Sequence, residues 1–291
     1  MGNDNGAMRI EVGGGRLYFD VEGVGLVGEG PRMVPRPTVV LVHGGPGADH
    51  SVFKPWLSPL ADSAQLVYVD LCGSGRSDRG DPDDWAWDRW ASDVVALCDA
   101  LEIDAPVLLG SSAGTWVALQ AALDHPGRVG GLVLDSAMPA THGHALEVFA
   151  RTGGPEAVAA ARRFYAAEPG EEVMREFVER CIPLYTRRMP GELRADILAR
   201  IQRNPEVEWR LRTGAMAAFD PWDRLHEVAC PTLILAGEDD PVTPAAEASR
   251  LAEALTNARV DLVRYENCGH GVFREVPDDA LAATRDFLAR L

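Results

Sequence analysis

Lysine is almost missing from this chain. Lys54 stands alone, and every other basic residue is arginine. Positive charge of either kind is scarce: 28 Lys and Arg face 44 Asp and Glu, for a formal charge of −16. Such a balance leaves no basic face for a phosphate backbone, which argues against a nucleic-acid partner. It argues equally against an anionic membrane surface, and it would steer cationic or amine-bearing ligands inward. Cysteines are few. The five, at 72, 98, 181, 230 and 268, are widely spaced and include no C-x-x-C, so neither a disulfide framework nor a zinc site is expected. No run approaches the 18 apolar residues of a membrane span. The start, MGNDNGAMRIEV, has neither the basic nor the apolar region of a secretory signal. A cytoplasmic protein with no metal and no organic cofactor is the expectation.

What is present is globular. Of 291 residues, 46% are apolar and 25% charged, an ordinary composition for a packed domain. Residues 8–12 and 16–22 read as a hairpin around Gly13–Gly15, and the Gly- and Pro-rich stretch 23–37 as a connector. Short β-branched runs at 38–43, 65–70, 105–110, 130–135, 231–237 and 259–265 read as buried parallel strands. Helical periodicity covers 83–101, where Asp83 or Asp84 would be the N-cap, and also 112–126, 244–255 and 277–291. Strands alternating with helices make a mostly parallel sheet with helices on both faces, an α/β fold.

About 95 residues between Asp135 and Thr232 lack strand runs. They read as helices near 143–152, 155–167, 171–180, 191–203 and 206–218, punctuated by prolines. Inserted between two strands of one sheet, they form a lid. The chain therefore divides into a core of 1–137 and 227–291 and a helical cap of 138–226.

The chemistry is carried by three short stretches. Residues 110–114, Gly-Ser-Ser-Ala-Gly, form the one G-x-S-x-G match, centred on Ser112 between a strand and a helix. That turn lifts the serine hydroxyl to the sheet's carboxyl edge, and the helix N-terminus behind it favours developing negative charge. Residues 43–47, His-Gly-Gly-Pro-Gly, follow the strand 38–43. A glycine loop there aims backbone N–H groups at an oxyanion, for which Gly45 and Ala113 are the candidates, with Gly44 beside the substrate. His43 reads as a structural tie between loops. An acid and then a histidine should follow the serine. Glu238, Asp239 and Asp240 compete for the first place, Asp240 ahead of Asp239 by its distance from the strand. His270, between glycines after the last strand, is the base. His142 and His144 lack further partners for a metal.

Together VLVHGGPG (40–47), VDLCGSGRSDR (69–79), GSSAGTWVAL (110–119), GEDDPVTP (237–244) and CGHGVF (268–273) resemble the α/β-hydrolase superfamily. Within it they look most like the proline iminopeptidase group of serine aminopeptidases. The resemblance implies a triad of Ser112, Asp240 and His270, an oxyanion hole of Gly45 and Ala113, and a small-molecule or short-peptide substrate. It also implies acidic cap residues that hold a free amine. Glu206 and Glu208, before Trp209, are the candidates, with Asp135 near a position where the family often has arginine. The chain departs from the group at Leu71-Cys72 in its second loop and at Ala113 after the serine. A carboxylesterase or lactonase with an apolar cap is the alternative, since the cap carries Phe149, Phe164, Tyr165, Phe177, Tyr185, Trp209, Met216 and Phe219. A hydrolase-fold small-molecule receptor is a third reading.

Overall fold

The computed structural model describes residues 8–137, 142–166, 170–214 and 220–291. Eight strands form one sheet in the order β1-β2-β6-β5-β7-β8-β9-β10. These are β1 (Arg9–Val12), β2 (Gly15–Glu22), β5 (Thr38–Val42), β6 (Gln65–Val69), β7 (Val107–Ser111), β8 (Gly131–Asp135), β9 (Thr232–Gly237) and β10 (Val260–Tyr265). Pairing is antiparallel from β1 to β2 and from β2 to β6, and parallel from β6 onward. β5 reads Thr-Val-Val-Leu-Val because both its faces are covered. Val40 and Val42 pack with α1 (Trp87–Ala100) and α2 (Gly114–Asp124). Val39 and Leu41 pack on the opposite face, where the helix Pro277–Leu288 lies. Each such buried side chain contributes about 1.5–3 kcal/mol, and the period of two assigns alternate residues to alternate layers.

Two local expectations need correction. The stretch 23–37 is not a plain connector: β3 (Leu26–Glu29) and β4 (Arg32–Pro35) pair antiparallel in a separate two-stranded ribbon. Its tight turn uses Gly30 at φ +58, and the Gly and Pro that make the turn hide the strand pattern. Helix α1 does not start at Asp83 or Asp84. Asp81 caps a short 3₁₀ turn over Pro82–Asp84, and α1 begins at Trp87.

The cap lies between β8 and β9. It contains α3 (His142–Thr152), α4 (Gly154–Ala166), α5 (Glu171–Arg180), α6 (Gly191–Arg200) and α7 (Pro205–Thr213). Phe149, Phe164, Phe177 and Cys181 give part of it a small core of its own, with the Phe164 and Phe177 rings stacked at 3.7 Å. The last part of the helix expected over 206–218, the first cap residues, and Met216 and Phe219 lie outside the described residues. Beyond β9 follow α8 (Ala245–Ala254), the short α9 (Val272–Glu275) and α10 (Pro277–Leu288). No described helix is long and apolar enough to cross a membrane.

Candidate active site

The sheet's carboxyl edge collects the chemistry. Between β7 and α2 the chain turns at Ser112, whose φ is +53, a left-handed conformation that costs a non-glycine residue energy. The neighbouring glycines are there for space. A Cβ on Gly110 would stand 2.5 Å from the Gly114 carbonyl oxygen, and one on Gly114 would stand 2.1 Å from that of Val42. Ser112 N donates to the Asp135 carbonyl at 2.9 Å, and its own carbonyl accepts from Thr115 N at 2.9 Å. The turn is thus pinned to β8 on one side and to the first turn of α2 on the other.

The loop after β5 presses on this turn. A Cβ on Gly44 would meet the Ser111 oxygen at 2.5 Å and the Ser112 Cβ at 2.9 Å, and Gly45 sits at φ +126. Only glycine allows both the approach and that backbone angle. His43 is buried. Its Nε2 accepts from Leu71 N at 3.1 Å and its Nδ1 donates to the Gly44 carbonyl at 2.9 Å. Burial, the largest influence, holds its ring below the ordinary histidine pKa, so it ties loops together as a neutral ring.

The three adjacent acids after β9 separate by burial. Glu238 is exposed and pairs with Arg264, and Asp239 is exposed near Arg187. Asp240 is buried and receives the His270 ring Nδ1 at 2.8 Å. It also accepts from Val242 N at 2.7 Å and Thr243 N at 2.8 Å. Burial alone would raise this carboxyl. The charge and hydrogen bond of His270 and the Thr243 contacts outweigh it and hold Asp240 below the ordinary carboxylate range. With Nδ1 on Asp240, the other ring nitrogen of His270 is left for the cavity.

That cavity, about 230 Å³, is bordered by Gly44, Gly45, Ser112, Ala113 and His270 on the core side. Its cap side is largely apolar, with Phe164, Tyr165, Phe177, Tyr185, Ile197 and Leu198. Among the described residues no cluster of three potential metal ligands occurs. The His142 side chain lies outside the described set.

The remaining candidates scatter. Asp135 does not line this cavity. It ends β8 buried, accepting from the Ser111 hydroxyl at 2.8 Å and from Val272 N at 2.9 Å. Glu206 is exposed and pairs with Arg210. Trp209 is half-buried and also off the cavity. Glu208 alone of that group lines it, bonded to Arg203 at 2.8 Å. Residues two apart on a helix point to nearly opposite faces, so Glu206 and Glu208 cannot both reach one pocket.

Sequence reasoning missed several side chains. Glu275 is buried and gathers backbone N–H groups from Arg187 at 2.6 Å, Arg188 and Met189 at 3.1 Å, and Gly269 at 3.1 Å. His270 N donates to the Tyr185 carbonyl at 2.7 Å, so the histidine loop is sewn to the cap. Arg194, Arg203 and Arg274 line the cavity. The only signal for Arg274 was its place one helical turn after His270.

The comparisons with known proteins support the fold. The family model described as alpha/beta hydrolase fold matches residues 37–276. RutD of Variovorax paradoxus strain S110, a protein named for carbamate hydrolysis, is 30% identical over 268 residues, 87% of this chain and 92% of its own. The 2-hydroxy-6-oxo-6-phenylhexa-2,4-dienoate hydrolase of Comamonas testosteroni is 29% identical over 260 residues, 86% of this chain and 87% of that protein. A thermophilic esterase from Thermogutta terrifontis, solved with malate bound, superposes with a TM-score of 0.73 at 26% identity over 98% of each chain.

Proposed function

This chain belongs to the α/β-hydrolase-fold family, and from that premise we propose that it hydrolyses small carboxylic esters through a serine acyl-enzyme. The observation that carries the reading is that Ser112, held at φ +53, shares one cavity with a His270 whose Nδ1 is on Asp240.

In the proposed cycle the Ser112 oxygen attacks the ester carbonyl while His270 Nε2 takes its proton. The tetrahedral oxyanion is received by the N–H groups of Gly45 and Ala113. On collapse the C–O bond breaks, and the leaving oxygen takes the proton from His270. Water then gives a proton to His270 and attacks the acyl carbon, releasing the acid and restoring Ser112. Asp240 keeps the imidazole oriented and stabilises its cationic form.

The ester reading replaces the aminopeptidase expectation. An aminopeptidase needs a free carboxylate for the substrate amine, whereas Glu208 on the cavity wall is already bonded to Arg203. The related proteins named above carry carbamate, dienoate and ester hydrolysis in their names, and the cap face of the cavity is apolar.

Labelling with a serine-directed phosphonate tests the chemistry. One equivalent is expected on Ser112. Ser112→Ala should abolish labelling and lower turnover by about 10⁴-fold or more. Short p-nitrophenyl esters should turn over while prolyl and alanyl anilides do not. Anilides cleaved faster than esters would return the reading to a peptidase.

A further inference from the structure

The whole molecule is acidic, at −16, but its cavity is not. The charged side chains on the cavity wall are Arg194, Arg203, Arg274 and Glu208. Arg203 and Glu208 bond to each other at 2.8 Å, which leaves two guanidiniums over. Arg194, on α6, donates through one nitrogen to the Thr186 hydroxyl at 3.0 Å and the Met189 carbonyl at 3.2 Å. Among the described residues Arg274, on α9, donates only to the His270 carbonyl, at 3.5 Å. Each has its Nε buried with no hydrogen-bond partner, and neither forms an ion pair with a described carboxylate. The acids whose charge Arg274 feels are Asp135, Glu275 and Asp240. All three are occupied by other donors.

The two arginines border one seam. Arg194 is fastened to Thr186 and Arg274 to His270, and the Tyr185 carbonyl accepts from His270 N at 2.7 Å. Buried cationic donors without acceptors are costly, and a planar two-oxygen anion matches the guanidinium fork. We propose that this seam is a subsite for a carboxylate carried by the substrate, held by Arg194 from the cap and Arg274 from the core. The subsite would make the enzyme a hydrolase of half-esters and similar acyl compounds that keep one free carboxylate. This deepens the ester-hydrolase reading and rests on it. It also reverses the preference for amines that the net charge suggests.

The test compares two substrates that differ in one charge, 4-nitrophenyl hydrogen glutarate and 4-nitrophenyl methyl glutarate. For the native enzyme kcat/KM should favour the charged ester by about tenfold, mostly through KM, as expected for a charge-assisted contact. Arg194→Met should bring the ratio towards one, Arg194→Glu should invert it, and Arg194→Lys should retain part of it. A native ratio at or below one, or a ratio that Arg194→Met does not move, overturns the subsite. Calorimetric titration of Ser112→Ala with glutarate gives a reading without turnover. Saturable binding that disappears in Ser112→Ala/Arg194→Met supports the subsite, and no binding to Ser112→Ala overturns it. If glutarate binds but neither ester is cleaved, the hydrolase reading fails and the subsite stands.

Discussion

Asp135 shows what one buried carboxyl does to this fold. Burial is the main influence and raises its pKa. The Ser111 hydroxyl, the charges of Arg274 and His270 and the Val272 N–H only partly offset it. A carboxyl raised in the folded state favours the protonated form there. Its stabilising contribution is therefore complete below the ordinary carboxylate value and lost as pH rises through the folded-state one. Asp135→Asn, which cannot ionise, should gain on the native chain as pH rises above about 4. Urea midpoints of the two proteins across pH check this, and parallel curves would refute it. Gly44 makes a second residue-scale case. A Cβ there would stand 2.5 Å from backbone at Ser111, and overpacking of this kind costs about 1–3 kcal/mol. Under the proposed ester chemistry, Gly44→Ala should lower turnover by roughly tenfold or more by displacing the Ser112 turn or the proposed oxyanion donors. A circular-dichroism spectrum like that of the native chain would place the loss at the site.

Two buried carboxylates join cap to core at the level of elements. Asp49, after the glycine loop, accepts from Arg76 at 2.9 Å and from Gln202 N of the cap at 3.0 Å. Glu275, on α9, accepts the N–H groups of Arg187, Arg188 and Met189 from the cap and of Gly269 from the histidine loop. Removing such an acceptor strands several donors at about 1–3 kcal/mol each. Glu275→Ala should therefore cost about 4 kcal/mol or more, read as a lower urea midpoint. It should also quicken tryptic cleavage after the exposed Arg187 and Arg188. Unchanged cleavage would mean that other contacts hold the seam. The elements themselves were legible where period and length agreed, as in β5, β7 and α2. The β3–β4 ribbon was not, because four-residue strands among Gly and Pro carry no period.

For the whole molecule, a charge of −16 sets the acids of the surface against one another, which destabilises the compact state through self-repulsion. Raising salt from about 10 mM to 0.3 M shortens the Debye length. It should raise the thermal midpoint by about 2–4 °C, the equivalent of roughly 1 kcal/mol for a chain of this size. Calorimetry at neutral pH measures it. A fall on adding salt would mean that surface ion pairs such as Arg264–Glu238, at 2.7 Å, outweigh the repulsion.

The sequence alone determined the α/β layout, the strand–turn–helix around Ser112, and the order of acid and histidine after it. These features are local: side-chain period, glycine spacing and chain order are written within a few residues of each other. Only the tertiary structure decided which of three adjacent acids meets His270, because burial and a 2.8 Å contact depend on residues thirty positions apart. The same holds for the sign of the cavity. Net charge is a sum over the surface, whereas Arg194, Arg274, Arg203 and Glu208 come from separate elements that only folding brings to one wall. Glu206 and Glu208 show the limit most plainly. Identical in chemistry and two residues apart, they differ only in the face each presents, and that is set by what α7 packs against.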